Sequence, residues 1–269
     1  MKIQVGELDI EYEIDGEEGA PVLMLHHSLA TSLEMWDDLS LALVQMHRVL
    51  RFDARGHGKT QGPAGDYSFQ QLAGDAVGLM NVLGIQKATH VGLSMGGMVS
   101  QYLGIAAADR VEGLVLVSTT SQMPPEAAPI WDERIAQVRA QGMAPLVEPT
   151  IDRWFTRDFL ESGDHIIEEI KKQIANTSVN GFCGWAAAIR DLALLAHLPT
   201  ITAPTLVMVG ADDAGTPPTM SQEIAAKIPG AKLQIFDNAS HMLPLQQPGR
   251  FIESLLDFLE EREDAAVVG

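Results

Sequence analysis

Gly92-Leu93-Ser94-Met95-Gly96-Gly97 lies between two apolar stretches of different habit, and that contrast decides the fold. The run before it, Ala88-Thr89-His90-Val91, is short and reads as a buried strand. The run after it, Met98 to Ala108, is small, apolar and proline-free, and reads as a packed helix. Gly-x-Ser-x-Gly joining a strand to a helix is a nucleophile elbow. The turn is so tight that side chains at positions 92 and 96 would collide, which is why glycine stands at both. Such a turn lifts the Ser94 hydroxyl above the sheet and aims the first N–H groups of the helix at the space beside it. The plainer reading is a serine that only caps its helix; partners later in the chain favour the nucleophile.

Outward from the elbow, strands and helices alternate. Lys2–Val5, Leu8–Ile14 and Pro21–His26 read as strands, the second with apolar and acidic residues alternating as in a half-buried antiparallel edge. Then come a helix over about Met35–Met46, a strand His47–Asp53, a helix Ser68–Leu83, the elbow, and a strand Gly113–Ser118. From about Gln122 to His197 no strand pattern appears, only helical patterns broken near Gly142, Gly163 and Gly181. The alternation resumes with strand Leu206–Val209, helix Ser221–Lys227, strand Lys232–Phe236 and helix Phe251–Glu260. This order predicts an α/β fold: a mostly parallel eight-stranded sheet, helices on both faces, right-handed crossovers. Residues 1–121 and 198–269 form the expected core, and 122–197 a helical cap over the carboxyl edge of the sheet, where such folds place their chemistry. The tail Glu263–Gly269 is expected to fray.

Composition narrows the function classes. The 269 residues, 46% of them apolar, suffice for one large domain. A net charge of −18 repels nucleic acid and anionic membranes, so neither is an expected partner. Cys183 is the only cysteine, which rules out an internal disulfide. No signal-peptide pattern or membrane-length apolar run appears, and the expected location is the cytoplasm. The oligomeric state is not legible.

A serine hydroxyl attacks only when a base takes its proton and a third group orients that base. Two late strands end in suitable loops. Gly210-Ala211-Asp212-Asp213 follows one and Asp237-Asn238-Ala239-Ser240-His241 the other. His241 is the candidate base and Asp213 the candidate orienting acid; spacing alone does not separate Asp213 from Asp212. The oxyanion formed on attack needs N–H donors. Met95, directly after the nucleophile, offers one, and Leu29 in His26-His27-Ser28-Leu29-Ala30-Thr31 the other. His57 reads as a structural turn histidine. A metal role for His26-His27 lacks further ligands, so no metal or cofactor is called for. In the cap, Trp131 and Trp154 are candidate pocket walls, and Arg153 and Arg190 (with Arg157) are candidate carboxylate-binding groups.

These residues resemble the α/β-hydrolase fold, and more closely its 3-oxoadipate enol-lactonase-like group. The likeness rests on His27-Ser28-Leu29-Ala30-Thr31, Met35-Trp36-Asp37, Arg51 to Gly58 and Gly92 to Met98, with Arg153-Trp154-Phe155-Thr156, Ala187 to Asp191, Ala203 to Leu206 and Gly210 to Asp213. It implies a serine hydrolase of a small ester or lactone, with Ser94, Asp213 and His241 as its triad. It favours Asp213 because the family acid commonly follows its strand as Gly-x-x-Asp. His27 and Ala30 replace the group's usual Asn and Gly, an added side chain expected to reshape the acyl pocket. N-acyl-homoserine lactonase, general carboxylesterase, cofactor-free perhydrolase and C–C hydrolase are the enzymatic alternatives. A ligand receptor that keeps the fold without catalysis is the alternative of another class.

Overall fold

The computed structural model describes the backbone of residues 1–268 and the side chains of 1–262. The expected fraying of Glu263–Gly269 lies beyond the fully described residues. The first half runs β1 (Lys2–Val5), β2 (Leu8–Asp15), β3 (Val22–His26), a 3-10 turn (Leu33–Trp36), α1 (Asp37–Leu43), β4 (Arg48–Phe52), α2 (Phe69–Val82), β5 (Ala88–Leu93), α3 (Met95–Ala106) and β6 (Val111–Val117). Five helices follow: α4 (Ala128–Gln141), α5 (Val147–Trp154), α6 (Arg157–Ser162), α7 (His165–Asn176) and α8 (Val179–Arg190). The chain then returns through β7 (Thr205–Gly210), α9 (Pro218–Lys227), β8 (Lys232–Phe236), α10 (Leu243–Gln246) and α11 (Pro248–Val268).

The eight strands form one sheet in the order β1-β2-β4-β3-β5-β6-β7-β8. β1 and β2 pair antiparallel, as do β2 and β4, and every later pairing is parallel. Successive strand residues face opposite sides of a sheet. All six residues of β5 and all six of β7 are buried, so helices cover both faces there. The continuous apolar runs of the sequence express that double burial.

Three expectations needed adjustment. The helix placed over Met35–Met46 is a 3-10 turn followed by a short α1. A tertiary bond from the Leu33 N–H to Asp53 Oδ1, 2.8 Å, starts the turn early. Helix α3 begins at Met95, not Met98, because the chain enters it directly from Ser94. The break expected near Gly181 falls at Thr177–Ser178, not at the glycine. Gly181 lies in α8, where a Cβ would stand 2.0 Å from the Gly56 carbonyl oxygen. The glycine there permits close approach of two backbones.

The helical segment between β6 and β7 is closed at its neck. The Met123 N–H donates to Leu192 O at 3.0 Å, and the Leu194 N–H to Ser121 O at 2.7 Å. Helix α8 is also fixed to the loop after β4. The Trp185 indole N–H donates to Arg55 O at 2.9 Å, and the Tyr67 N–H to Gly184 O at 3.1 Å.

Candidate active site

Ser94 has φ +54° and ψ −112°, a conformation that L-residues rarely adopt. The surroundings enforce it. Its N–H donates to Val117 O at 2.8 Å, and its carbonyl accepts from the Thr119 hydroxyl at 2.7 Å. A Cβ at Gly92 would meet the Gly96 carbonyl carbon at 2.4 Å, and one at Gly96 the His26 oxygen at 2.3 Å. Met95 is the first residue of α3, so its N–H has no partner within the helix.

The loop after β7 holds Asp213 with its side chain buried. Its Oδ1 accepts from the N–H groups of Gly215 (2.8 Å) and Thr216 (2.9 Å). Its Oδ2 accepts from the Thr216 hydroxyl (2.8 Å) and lies 2.9 Å from His241 Nδ1. Burial alone would raise the carboxyl pKa, but the charge and hydrogen bond of His241 and the Thr216 donors hold it below the usual range. Asp212 is exposed, and its main-chain N–H bonds to Ala239 O at 2.9 Å. The structure therefore brings Asp213, not Asp212, to the histidine. Thr216, not singled out from the sequence, supplies two of the carboxylate's four hydrogen bonds.

Ser94, His241, Leu29 and Ala30 line one cavity of about 320 Å³. Trp131, Arg153 and Trp154 line it too. Asp213 and Met95 do not, nor do three of the candidate substrate-binding residues. Arg190 turns to the surface, bonding Asp132 at 2.8 Å and Asp191 at 2.9 Å. His27 is buried, its ring turned to Ser28 and Ala54. Arg157 likewise pairs outward with Glu161.

Arg134, missed in the sequence, lines the cavity instead. It sits one helical turn after Trp131 on α4, with its guanidinium 4.9 Å from the Trp131 ring. That i,i+3 spacing was the available signal. Among the described residues no carboxylate hydrogen-bonds to Arg134 or Arg153. Burial lowers the pKa of both, and Arg153 is lowered further by Arg134, against the pull of Asp213.

His27 and His57 serve as struts. His27 Nε2 accepts the Ala54 N–H at 3.0 Å while Nδ1 faces Ser28 O at 2.7 Å. His57 Nε2 accepts the Ala30 N–H at 3.0 Å while Nδ1 faces Arg55 O at 3.3 Å. Each ring so donates once and accepts once, which only the neutral form can do. Ala30, held this way, has φ +62°, a region that favours the glycine usual in the group. Ala30 lines the cavity and holds this conformation at a backbone cost of about 1 kcal/mol.

Burial pushes the pKa of His27 down to about 4, His90 to about 4 and His57 to about 3. His26, 3.0 Å from His90, is also lowered by burial and then by His90. In the unfolded chain these rings titrate near pH 6.5. Between about pH 6.5 and 4 the unfolded state thus binds protons that the folded state does not, and stability must fall with pH. Each such ring steepens the loss by up to about 1.4 kcal/mol per pH unit. Urea midpoints at about pH 7.5, 6 and 5 are expected to drop progressively; equal midpoints would show that the rings are not held neutral.

The family model for the alpha/beta hydrolase fold matches residues 21–248. The chain belongs to this family. Among its alpha/beta hydrolase relatives, 3-oxoadipate enol-lactonase 2 of Acinetobacter baylyi is 31% identical, covering 90% of each chain. The crystal structure of an enol-lactonase from Burkholderia xenovorans LB400 is 35% identical, with a TM-score of 0.93 over 97% of this chain and 100% of that one. A hydrolase from Pseudomonas aeruginosa PA01 is 37% identical, with a TM-score of 0.92 over 96% of this chain and 97% of that one. Among the described residues of this alpha/beta hydrolase, no helix is long and apolar enough to cross a membrane.

Proposed function

We propose that this hydrolase of esters or lactones works through a Ser94–His241–Asp213 triad and an acyl-enzyme. The observation that carries the reading is the bond between His241 Nδ1 and Asp213 Oδ2, 2.9 Å, with the same histidine and Ser94 lining one cavity. Asp213 holds the imidazole with its proton on Nδ1, leaving Nε2 free to accept. Ser94 attacks the carbonyl carbon as its proton passes to His241. The N–H groups of Leu29 and Met95 receive the oxyanion. The alcohol leaves with the proton from His241; in a lactone it stays tethered to the acyl group. Water, activated by His241, then releases the acid. Residues 122–197 act as the cap over the core formed by 1–121 and 198–269, and supply Trp131, Arg134, Arg153 and Trp154 to the cavity.

The substrate carries a carboxylate. Two guanidiniums in one small cavity, neither hydrogen-bonded to a carboxylate among the described residues, on a protein of net charge −18, support an anionic guest. An acidic lactone of the enol-lactone kind fits that chemistry, whereas a general esterase for neutral esters has no use for the pair. Arg134→Ala and Arg153→Ala are each expected to lower kcat/KM about 10- to 100-fold on a carboxylate-bearing ester. Hydrolysis of a neutral p-nitrophenyl ester should change far less. Arg190→Ala should change neither. Parallel losses on both substrates would remove the anionic assignment.

A further inference from the structure

His241 is clamped from two sides. One clamp is Asp213; the other is the C-terminal end of α5. The Trp154 indole lies over the imidazole, ring centroids 5.7 Å apart and planes inclined by 24°. The main chains around the two rings are tied together. The Met242 N–H donates to Trp154 O at 3.1 Å, and the Ser240 hydroxyl to Arg153 O at 3.3 Å. Gln246 bridges them, accepting from the Ser240 N–H at 2.8 Å and donating to the Thr156 hydroxyl at 2.9 Å. Trp154 is itself buried, so its face toward His241 is dry.

The face of an indole attracts a cation within about 6 Å of the ring centroid and gains much less from a neutral ring. His241 must be neutral to accept a proton, and becomes a cation only as Ser94 attacks. A contact of this kind strengthens at the transition state, so it raises kcat more than it tightens ground-state binding. The site needs such a contact. Arg153, adjoining Trp154, and Arg134 both put positive charge into the cavity and oppose a second cation there. Asp213 offsets this from one edge of the ring, and the Thr216 hydroxyl lies 3.3 Å from Nδ1.

We propose that Trp154 is a positioning residue for the base: its indole face steadies the His241 imidazolium formed in acylation and again in deacylation. The inference rests on His241 being the base. The proton travels from Ser94 Oγ to His241 and on to the leaving alcohol, and Trp154 exchanges none.

The test is graded fluorination of Trp154 alone, by site-specific incorporation of mono-, di- and trifluorotryptophan, which drains the ring face of negative potential with little change of shape. Stepwise loss of kcat is expected, reaching about 3- to 30-fold, with KM nearly constant. The acid limb of the kcat/KM profile should move to lower pH along the series, because a less stabilised imidazolium forms at lower pH. Trp154→Phe should fall between the extremes. A flat series, or a loss in Trp154→Phe without movement of the acid limb, would reduce Trp154 to a packing role and overturn the inference. His241→Gln run alongside separates the two levels: if it abolishes turnover while the series is flat, the base stands and only the tryptophan's role fails. If it leaves turnover intact, the base reading itself falls.

Discussion

Replacing Ser94 by alanine should lower kcat by about a millionfold while leaving the fold in place. The size of the effect follows from the absence of a substitute. Without Oγ no acyl-enzyme forms, and the oxyanion donors and cavity can only assist direct attack by water. The fold should survive because the elbow is enforced by the bonds of the Ser94 main chain to Val117 O and to the Thr119 hydroxyl and by the glycines at 92 and 96, none of which needs the serine hydroxyl. Alanine keeps the positive φ that the serine already tolerates. Ester hydrolysis gives the rate, and a fluorophosphonate probe gives the second readout: wild type should label and Ser94→Ala should not. Turnover near wild type in the variant would end the acyl-enzyme reading.

The second large effect separates two neighbouring carboxylates. Asp213→Asn is expected to cost about four orders of magnitude in kcat, and Asp212→Asn almost nothing. Asp213 accepts four hydrogen bonds on two oxygens. In asparagine the remaining oxygen would keep the Gly215 and Thr216 N–H donors, since those two main-chain groups cannot turn. The amide NH2 would then stand where Oδ2 was, facing His241 Nδ1. It would donate to that nitrogen and drive the imidazole proton to Nε2, the atom that must accept from serine. The geometry would be intact and the tautomer wrong. Asp212 is exposed and enters the site only through main-chain bonds, which an asparagine retains. Equal losses from the two variants would break the assignment.

Much of the fold was legible because its signals are steric or periodic. The glycines of the elbow, the doubly buried apolar runs of β5 and β7, and the lapse of alternation after β6 each express a constraint that acts within a few residues. What failed depended on distant partners. Gly181 looked like a helix breaker because its reason, the carbonyl of Gly56, is far away in the chain. Arg190 looked like a ligand-binding group because its neutralisation by Asp132 comes from another helix. Asp213 and Asp212 could not be separated by spacing, since the choice is made by how the loop bonds to Thr216 and Ala239. His27 appeared as an odd replacement near the oxyanion site, and the structure makes it a strut for the loop after β4.

The close approach of Gly56 and Gly181 bears on how such an enzyme can be diversified. Two backbones touching at a point with no room for a methyl act as a rivet, and the neck at Ser121–Met123 and Leu192–Leu194 acts as a second fastening. The segment between them is thus a module with fixed anchorage and replaceable walls. In the proposed mechanism, a transplant of residues 122–197 from a relative is expected to change which acyl group fits, provided the incoming helix carries glycine at the rivet. A donor with alanine there would have to lift its whole helix away from the loop whose His57 braces Ala30, and is expected to disturb the proposed chemistry along with the specificity.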